Sequence, residues 1–174
     1  MQCTKTVYLA LQHLSIYSKM KPEEADLTME STTEPLRRDQ YPYLQPITTR
    51  WSDNDVYGHV NNVVYFSYFD TVVNLYLIEK GVLDIHRGEV IGLVVENTCR
   101  YFQSLEFPDR VYAGLQVQRL GTSSVIYRIG LFSNDQAAPA AQGRFVHVYV
   151  DRVSRKPVPL SPALRAALEP LLGE

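Results

Sequence analysis

No run of apolar residues in this chain reaches the roughly 18 that a membrane-spanning helix requires, so no membrane partner is expected. Cysteine is scarce: Cys3 and Cys99 are the only two in 174 residues, and their spacing is not that of a metal site. A disulfide framework is therefore not expected, and a reducing, cytoplasmic setting is the expectation. Charge of one sign is also missing, because 17 Lys and Arg stand against 19 Asp and Glu. That balance gives no broad pull on nucleic acid or on an anionic membrane. The serine-nucleophile elbow, the zinc-protease helix motif and the phosphate-binding loop are all absent, and so is any internal repeat. Near the N-terminus, Val7 to Tyr17 is apolar but broken by Gln12, His13 and Ser15, with little positive charge ahead of it. It reads as a short helix before a polar leader, not as a signal peptide.

What remains is an ordinary globular composition, 45% apolar and 21% charged, in a length that suits one domain. Residues 1–40 read as the leader: from Lys19 to Gln40 they are polar and carry Pro22 and Pro35. The folded domain is expected over 41–174. Ile47, Thr49 and Trp51 alternate as in a strand. Asn62 to Lys80 is rich in β-branched residues but too long for a strand, and it fits a helix of about five turns. Asn61 or Asn62 can cap that helix and Gly81 can end it. Ser67, Asp70 and Asn74 form its one polar stripe, so the remaining circumference calls for a wrapping of other structure. Strand patterns follow at Val90 to Phe102, Val111 to Gln118, Ser124 to Phe132 and Gly143 to Asp151, and a short helix capped by Ser161 closes the chain. The order predicts an α+β fold, a curved antiparallel five-stranded sheet wrapped around a long central helix, ahead of cystatin-like or cone-shaped alternatives.

The chemistry concentrates in "WSDNDVYGHVNNVVYFSYFD", Trp51 to Asp70. Taken singly, its acids suit caps or Asx turns, Gly58 suits a turn, His59 suits packing, and Asn61 and Asn62 suit helix starts. Together they put a carboxylate, Asp55, a few residues ahead of a helix N-terminus with unpaired amides and partial positive charge. Such amides stabilise a carbonyl oxygen gaining negative charge, and a nearby carboxylate can attack the carbonyl or activate water. Asp53, Asp55 and His59 make a poor ligand set, so neither a metal nor a cofactor is expected.

This stretch resembles the signature of the 4-hydroxybenzoyl-CoA thioesterase-like group of hotdog-fold acyl-CoA thioesterases. The pattern is an aromatic (Trp51), an acid pair (Asp53, Asp55), a glycine (Gly58), a short turn (His59 to Asn62) and a helix containing Tyr65. "FPDRVYAGLQVQRLGTSSVIYRIGLF" and "GRFVHVYVDRVSRKPVPLSPALRAAL" resemble the family's hairpin and its last strand and tail, so the likeness spans roughly Tyr43 to Leu172. It implies that Asp55 is the catalytic carboxylate, as nucleophile or general base. It also implies that backbone amides near Asn62, Val63 and Val64 polarise the thioester, with Gly58, His59, Asn61 and Tyr65 shaping the pocket. The "HVNN" turn is nearer the fatty-acyl than the aromatic branch, which points to fatty acid metabolism. A second hotdog branch uses a helix carboxylate, for which Asp70 is the candidate and a plain polar-stripe residue the preferred reading.

A CoA substrate brings phosphates. By resemblance, the turn containing Arg119, Thr122, Ser123 and Ser124 and the tail containing Arg152, Arg155 and Lys156 are expected to meet them. The family's site lies between subunits, which implies a homodimer or homotetramer. The expected activity is hydrolysis of an acyl-CoA thioester to free acid and CoA. The alternatives are a thioesterase acting on acyl carrier protein and a non-catalytic acyl-CoA-binding domain.

Overall fold

A computed structural model describes residues 34–173 and the strand at Lys5–Thr6. The leader's expected helix, Val7 to Tyr17, lies outside the described residues. In chain order the elements are β1 (Lys5–Thr6), β2 (Tyr43–Thr48), α1 (Asn62–Glu79), β3 (Val90–Tyr101), β4 (Arg110–Leu120), β5 (Ser124–Ser133), β6 (Ala141–Asp151) and α2 (Pro162–Leu168). Five of these strands, β2 to β6, make the body of one antiparallel sheet in the order β3-β6-β5-β4-β2, and the two residues of β1 pair with Thr98 and Cys99 on the outer edge of β3.

The 18 residues of α1 lie along one face of this sheet. Asn61 caps the helix, and Gly81 at φ 67° ends it, with Val82 N donating to Leu77 O. Tyr65, Tyr68, Phe69, Val72, Val73, Tyr76 and Leu77 are buried on the side toward the strands. They meet the alternating inward residues Val111, Ala113, Leu115 and Val117 of β4 and Val125, Tyr127, Ile129 and Leu131 of β5. Each fully buried side chain of this size contributes about 1.5–3 kcal/mol. Gly143 of β6 lets the helix seat closely, because a Cβ there would overlap the Phe69 ring.

Three expectations need correction. The apolar circumference of α1 is not enclosed on every side in a single chain: Val63 is 64% exposed and Ile78 42%. One sheet has one inner face, so the helix's outer side faces solvent. The β2 alternation stops at Thr48, and Trp51 starts a short 3-10 turn, Trp51–Asp53, with its ring 80% exposed. The packed body also begins ahead of Tyr41. Leu36 N donates to Gln142 Oε1 and Arg38 N to Ala137 O, while Tyr41 lies across Gly114 and Gly130 on the sheet's outer face and donates its hydroxyl to Gln142 Oε1. Those two glycines face each other across β4 and β5, which gives the ring a flat seat.

Candidate active site

The loop between β2 and α1 is built around Asp53, which is 1% exposed. Its carboxylate accepts Arg50 N at 2.8 Å, Arg50 Nε at 3.0 Å and the Tyr68 hydroxyl at 2.8 Å, and pairs with Arg50 Nη2 at 2.9 Å. Burial alone would raise this carboxyl's pKa, but the Arg50 amide, the Tyr68 hydroxyl and the Arg50 guanidinium outweigh it and hold it below the usual value. Its backbone carbonyl accepts Asn61 N at 2.8 Å, which draws the loop's two ends together. Asp53 is therefore the loop's anchor, and its oxygens are engaged.

Asp55 is placed differently. It is half-buried, and its Oδ1 accepts Tyr57 N at 2.8 Å in an Asx turn. Its Oδ2 has no hydrogen-bond partner among the described residues. Asp55 N donates to His59 O and Gly58 N to Asp55 O, forming a small closed turn with Val56 and Tyr57 exposed at its tip. Gly58 sits at φ 84°, and a Cβ there would meet nothing within 4 Å. The glycine supplies that backbone conformation, as a turn residue does. Asn54 fastens the turn from outside, donating to Gly58 O at 3.2 Å and accepting Phe107 N at 3.1 Å.

The first four amides of a helix have no partner inside it, and here each can be traced. Asn61 N donates to Asp53 O, Val63 N to Asn61 Oδ1 at 3.1 Å, and Val64 N to Asn61 O at 2.9 Å. Only Asn62 N is without a partner among the described residues, and Asn62 is exposed. Of the three amides expected to serve a substrate carbonyl, Val63 and Val64 are thus engaged within the helix start. Tyr65 points inward: its hydroxyl accepts Leu105 N at 3.2 Å, its ring stacks edge-on against Tyr101, and burial pushes its pKa up to about 12. His59 is exposed beside the turn.

The residues expected near CoA are not brought to this loop within one chain. Register fixes this. The Asp55 end of the sheet holds Thr48, Arg110, Tyr101 and Ala141, while Leu120, Val125, Val90 and Asp151 lie at the other end. Arg119, Thr122, Ser123, Ser124, Arg152, Arg155 and Lys156 cluster at that second end, about 27 Å away along α1. Arg152 is already engaged there, donating to Gly88 O at 2.6 Å and Ile85 O at 2.9 Å. Asp70 is exposed, about 12 Å along the helix from Asn62, and partial desolvation raises its pKa against the opposing effect of Asn74. Among the described residues no three His, Cys, Asp or Glu side chains gather as a metal site would need.

Sequence reasoning missed Arg50, Asn54 and Tyr68 as supports of the loop. Arg50 could have been found from its i, i+3 spacing to Asp53. Tyr68, fifteen residues on from Asp53, needed the helix to be placed first.

The model of the thioesterase-like superfamily matches residues 49–168. The chain belongs to this superfamily. It is a thioester hydrolase of the hotdog fold by that membership. It is 55% identical to the PA5185 protein of Pseudomonas aeruginosa PAO1, covering 80% of this chain and 97% of that one with a TM-score of 0.78. A thioesterase of Thermus thermophilus, crystallised with coenzyme A and zinc, is 26% identical over 76% of this chain and 96% of its own, TM-score 0.64. The uncharacterized protein YsmA of Bacillus subtilis is 25% identical over 118 residues, 68% of this chain and 79% of YsmA.

Proposed function

We propose that this superfamily member hydrolyses acyl-CoA thioesters, with Asp55 as the catalytic carboxylate and Asn62 N as the donor to the thioester carbonyl. The observation that carries the reading is the tally at the helix start: one amide and one carboxylate oxygen lack partners among the described residues, on a loop whose ends are tied together. Oδ2 of Asp55 takes a proton from water, the water oxygen attacks the carbonyl carbon, and negative charge develops on the carbonyl oxygen toward Asn62 N. Collapse breaks the C–S bond, and the CoA thiolate leaves and takes up a proton. Direct attack by Asp55 through an anhydride is the second form. Label appearing in Asp55 after a single turnover in labelled water would identify the anhydride route, with water attacking the Asp55 carboxyl carbon of the intermediate and the acyl carboxylate leaving.

The reading needs a second copy of the chain. β3 is twelve residues long, and among the described residues its outer edge is paired only at Thr98 and Cys99. An open edge of this length invites another strand. Two β3 edges paired antiparallel about a two-fold axis would bring the basic end of one copy, with exposed Arg155 and Lys156, beside the Asp55 end of the other. That arrangement reconciles the separation of about 27 Å along α1 with a CoA nucleotide reaching both ends.

A thiol-release assay over acyl-CoA chain lengths tests the activity. Asp55→Asn should lower kcat by about 10²–10⁴-fold. Wild-type turnover on no thioester, CoA or carrier-protein bound, would refute the reading. Mixing inactive Asp55→Asn with an inactive Arg155→Glu/Lys156→Glu variant tests the shared site. Random pairing should restore about a quarter of wild-type activity, since half the dimers are mixed and each holds one intact site.

A further inference from the structure

The outer edge of β3 is claimed twice. The shared site needs it for a second copy, and the chain's own β1 already lies on part of it. Lys5 stands opposite Cys99 and Thr6 opposite Thr98, in an antiparallel pair. Among the described residues, the other positions along this twelve-residue edge have no strand beside them. An edge offers a single row of N–H and C=O groups, so one position cannot pair with two strands at once.

Register decides whether both claims can be met together. Cys99 stands close to the Tyr101 end of β3. A two-fold pairing of β3 edges that spared Thr98 and Cys99 would be confined to residues 90–97, or to 100–101 alone. The longer of these draws the basic end of the second copy back from the Asp55 end, from the level of Tyr101 to that of Asn97, about 13 Å at the rise of a strand. Arg155 and Lys156 of that copy are then withdrawn from the site they were to complete. The arrangement that builds the shared site and the one that keeps β1 in place therefore exclude one another.

The two competitors differ in kind. β1 brings only two residues, but it is tethered. The chain re-enters the packed body at Leu36, whose amide donates to Gln142 Oε1, and Gln142 stands opposite Arg100, next to Cys99. The tether thus starts and finishes at the same end of β3, and a segment joined in this way competes at an effective concentration of about millimolar order. A second copy brings a longer strand but has to be collected from solution, so its claim grows with protein concentration.

Building on the shared-site thioesterase reading, we propose that β1 is an internal stand-in for the second copy. While it holds Thr98 and Cys99, the chain stays a monomer with an incomplete site. A second β3 displaces it as the dimer forms, and hydrolysis begins with that exchange. Activity per chain is set by protein concentration against the leader's hold on the edge.

The test uses the full chain in two variant forms. Lys5→Pro/Thr6→Pro removes both amides of β1 and should free the edge without touching the packed body. Its dimer dissociation constant, measured by sedimentation over a dilution series, should fall at least about tenfold below that of the wild type. Activity per chain at low concentration should rise in step, and the two proteins should converge on one kcat when concentrated. Thr6→Cys/Thr98→Cys sets two thiols at directly opposed positions, within the span of a disulfide. Oxidised, that chain should be monomeric with at most about a tenth of its reduced activity, and reduction should restore dimer and activity together. Equal dissociation constants for wild type and the proline variant, or an oxidised variant that still forms active dimers, would overturn the inference and leave the thioesterase reading intact. A shifted dissociation constant with no turnover of any thioester by either protein would remove the thioesterase reading and keep the competing strand.

Discussion

The two ends of α1 are held by different means. At the exit end the polar groups find partners. Tyr76 donates its hydroxyl to Ala167 O at 2.6 Å, Tyr43 donates to Glu79 Oε2 at 2.8 Å, and Lys80 N and Gly81 N return to Tyr76 O and Ile78 O. At the starting end a similar density of hydrogen bonds leaves one amide, Asn62 N, and one carboxylate oxygen, on Asp55, without partners among the described residues. The contrast also runs between the two acids of the loop. Asp53 is buried and surrounded by donors, while Asp55 is half-buried and bonded through one oxygen. Within a few residues the same side chain is held by several donors in one place and by one in the other, which leaves only the second with a carboxylate oxygen lacking a partner among the described residues.

That contrast can be broken most sharply at its starting end. Asn62→Pro should lower kcat by about 10²–10³-fold, the usual cost of one lost oxyanion donor. Proline is well tolerated at the first helical position, and Asn61, at φ −59° and ψ 139°, already has the extended backbone that must precede it. Thermal stability should therefore hold. Asn62→Ala keeps the N–H and should stay near wild type; an equal loss in both variants would remove the amide from the mechanism.

Asp53→Asn should cost about 1.5–3 kcal/mol by chemical denaturation, the range for hydrogen bonds to a charged group. The folded pKa of Asp53 lies below its unfolded value, so its stabilisation is complete above the unfolded carboxylate pKa and is lost as pH falls through the folded one. The wild type should thus lose its advantage over Asp53→Asn on acidification below about pH 4. An advantage that persists undiminished in acid would contradict the assigned charge.

The smallest effects belong away from the starting end. Asp70→Asn should change kcat less than about twofold, within the range of an exposed substitution far from the chemistry. Tyr43→Phe removes the Glu79 hydrogen bond and should cost about 1 kcal/mol of stability with kcat unchanged. A large kcat loss in Asp70→Asn would transfer the carboxylate role to the helix.

Much of this was legible in the sequence because its causes are local. The Asn61 cap, the Gly81 stop and a length too great for a strand placed α1, and alternation placed β4 and β5. Trp51 was misread as strand because alternation does not register where a chain turns away from its sheet. The outer side of α1 was expected to be covered, since composition shows what is apolar but not how many layers are available to cover it. Which amide remains unpaired depends on bonds such as Asn61 N to Asp53 O, and these exist only once the loop has closed. The separation of the tail arginines from Asp55 depends on strand register, which no single segment contains.

The unpaired donor at position 62 belongs to the main chain. Every amino acid but proline supplies it, so under the proposed mechanism the side chain at this position is free to change while the reaction continues. A position judged by its variability would look dispensable, although the atom it contributes lies between two fixed amides, Asn61 N bonded to Asp53 O and Val63 N bonded to Asn61 Oδ1.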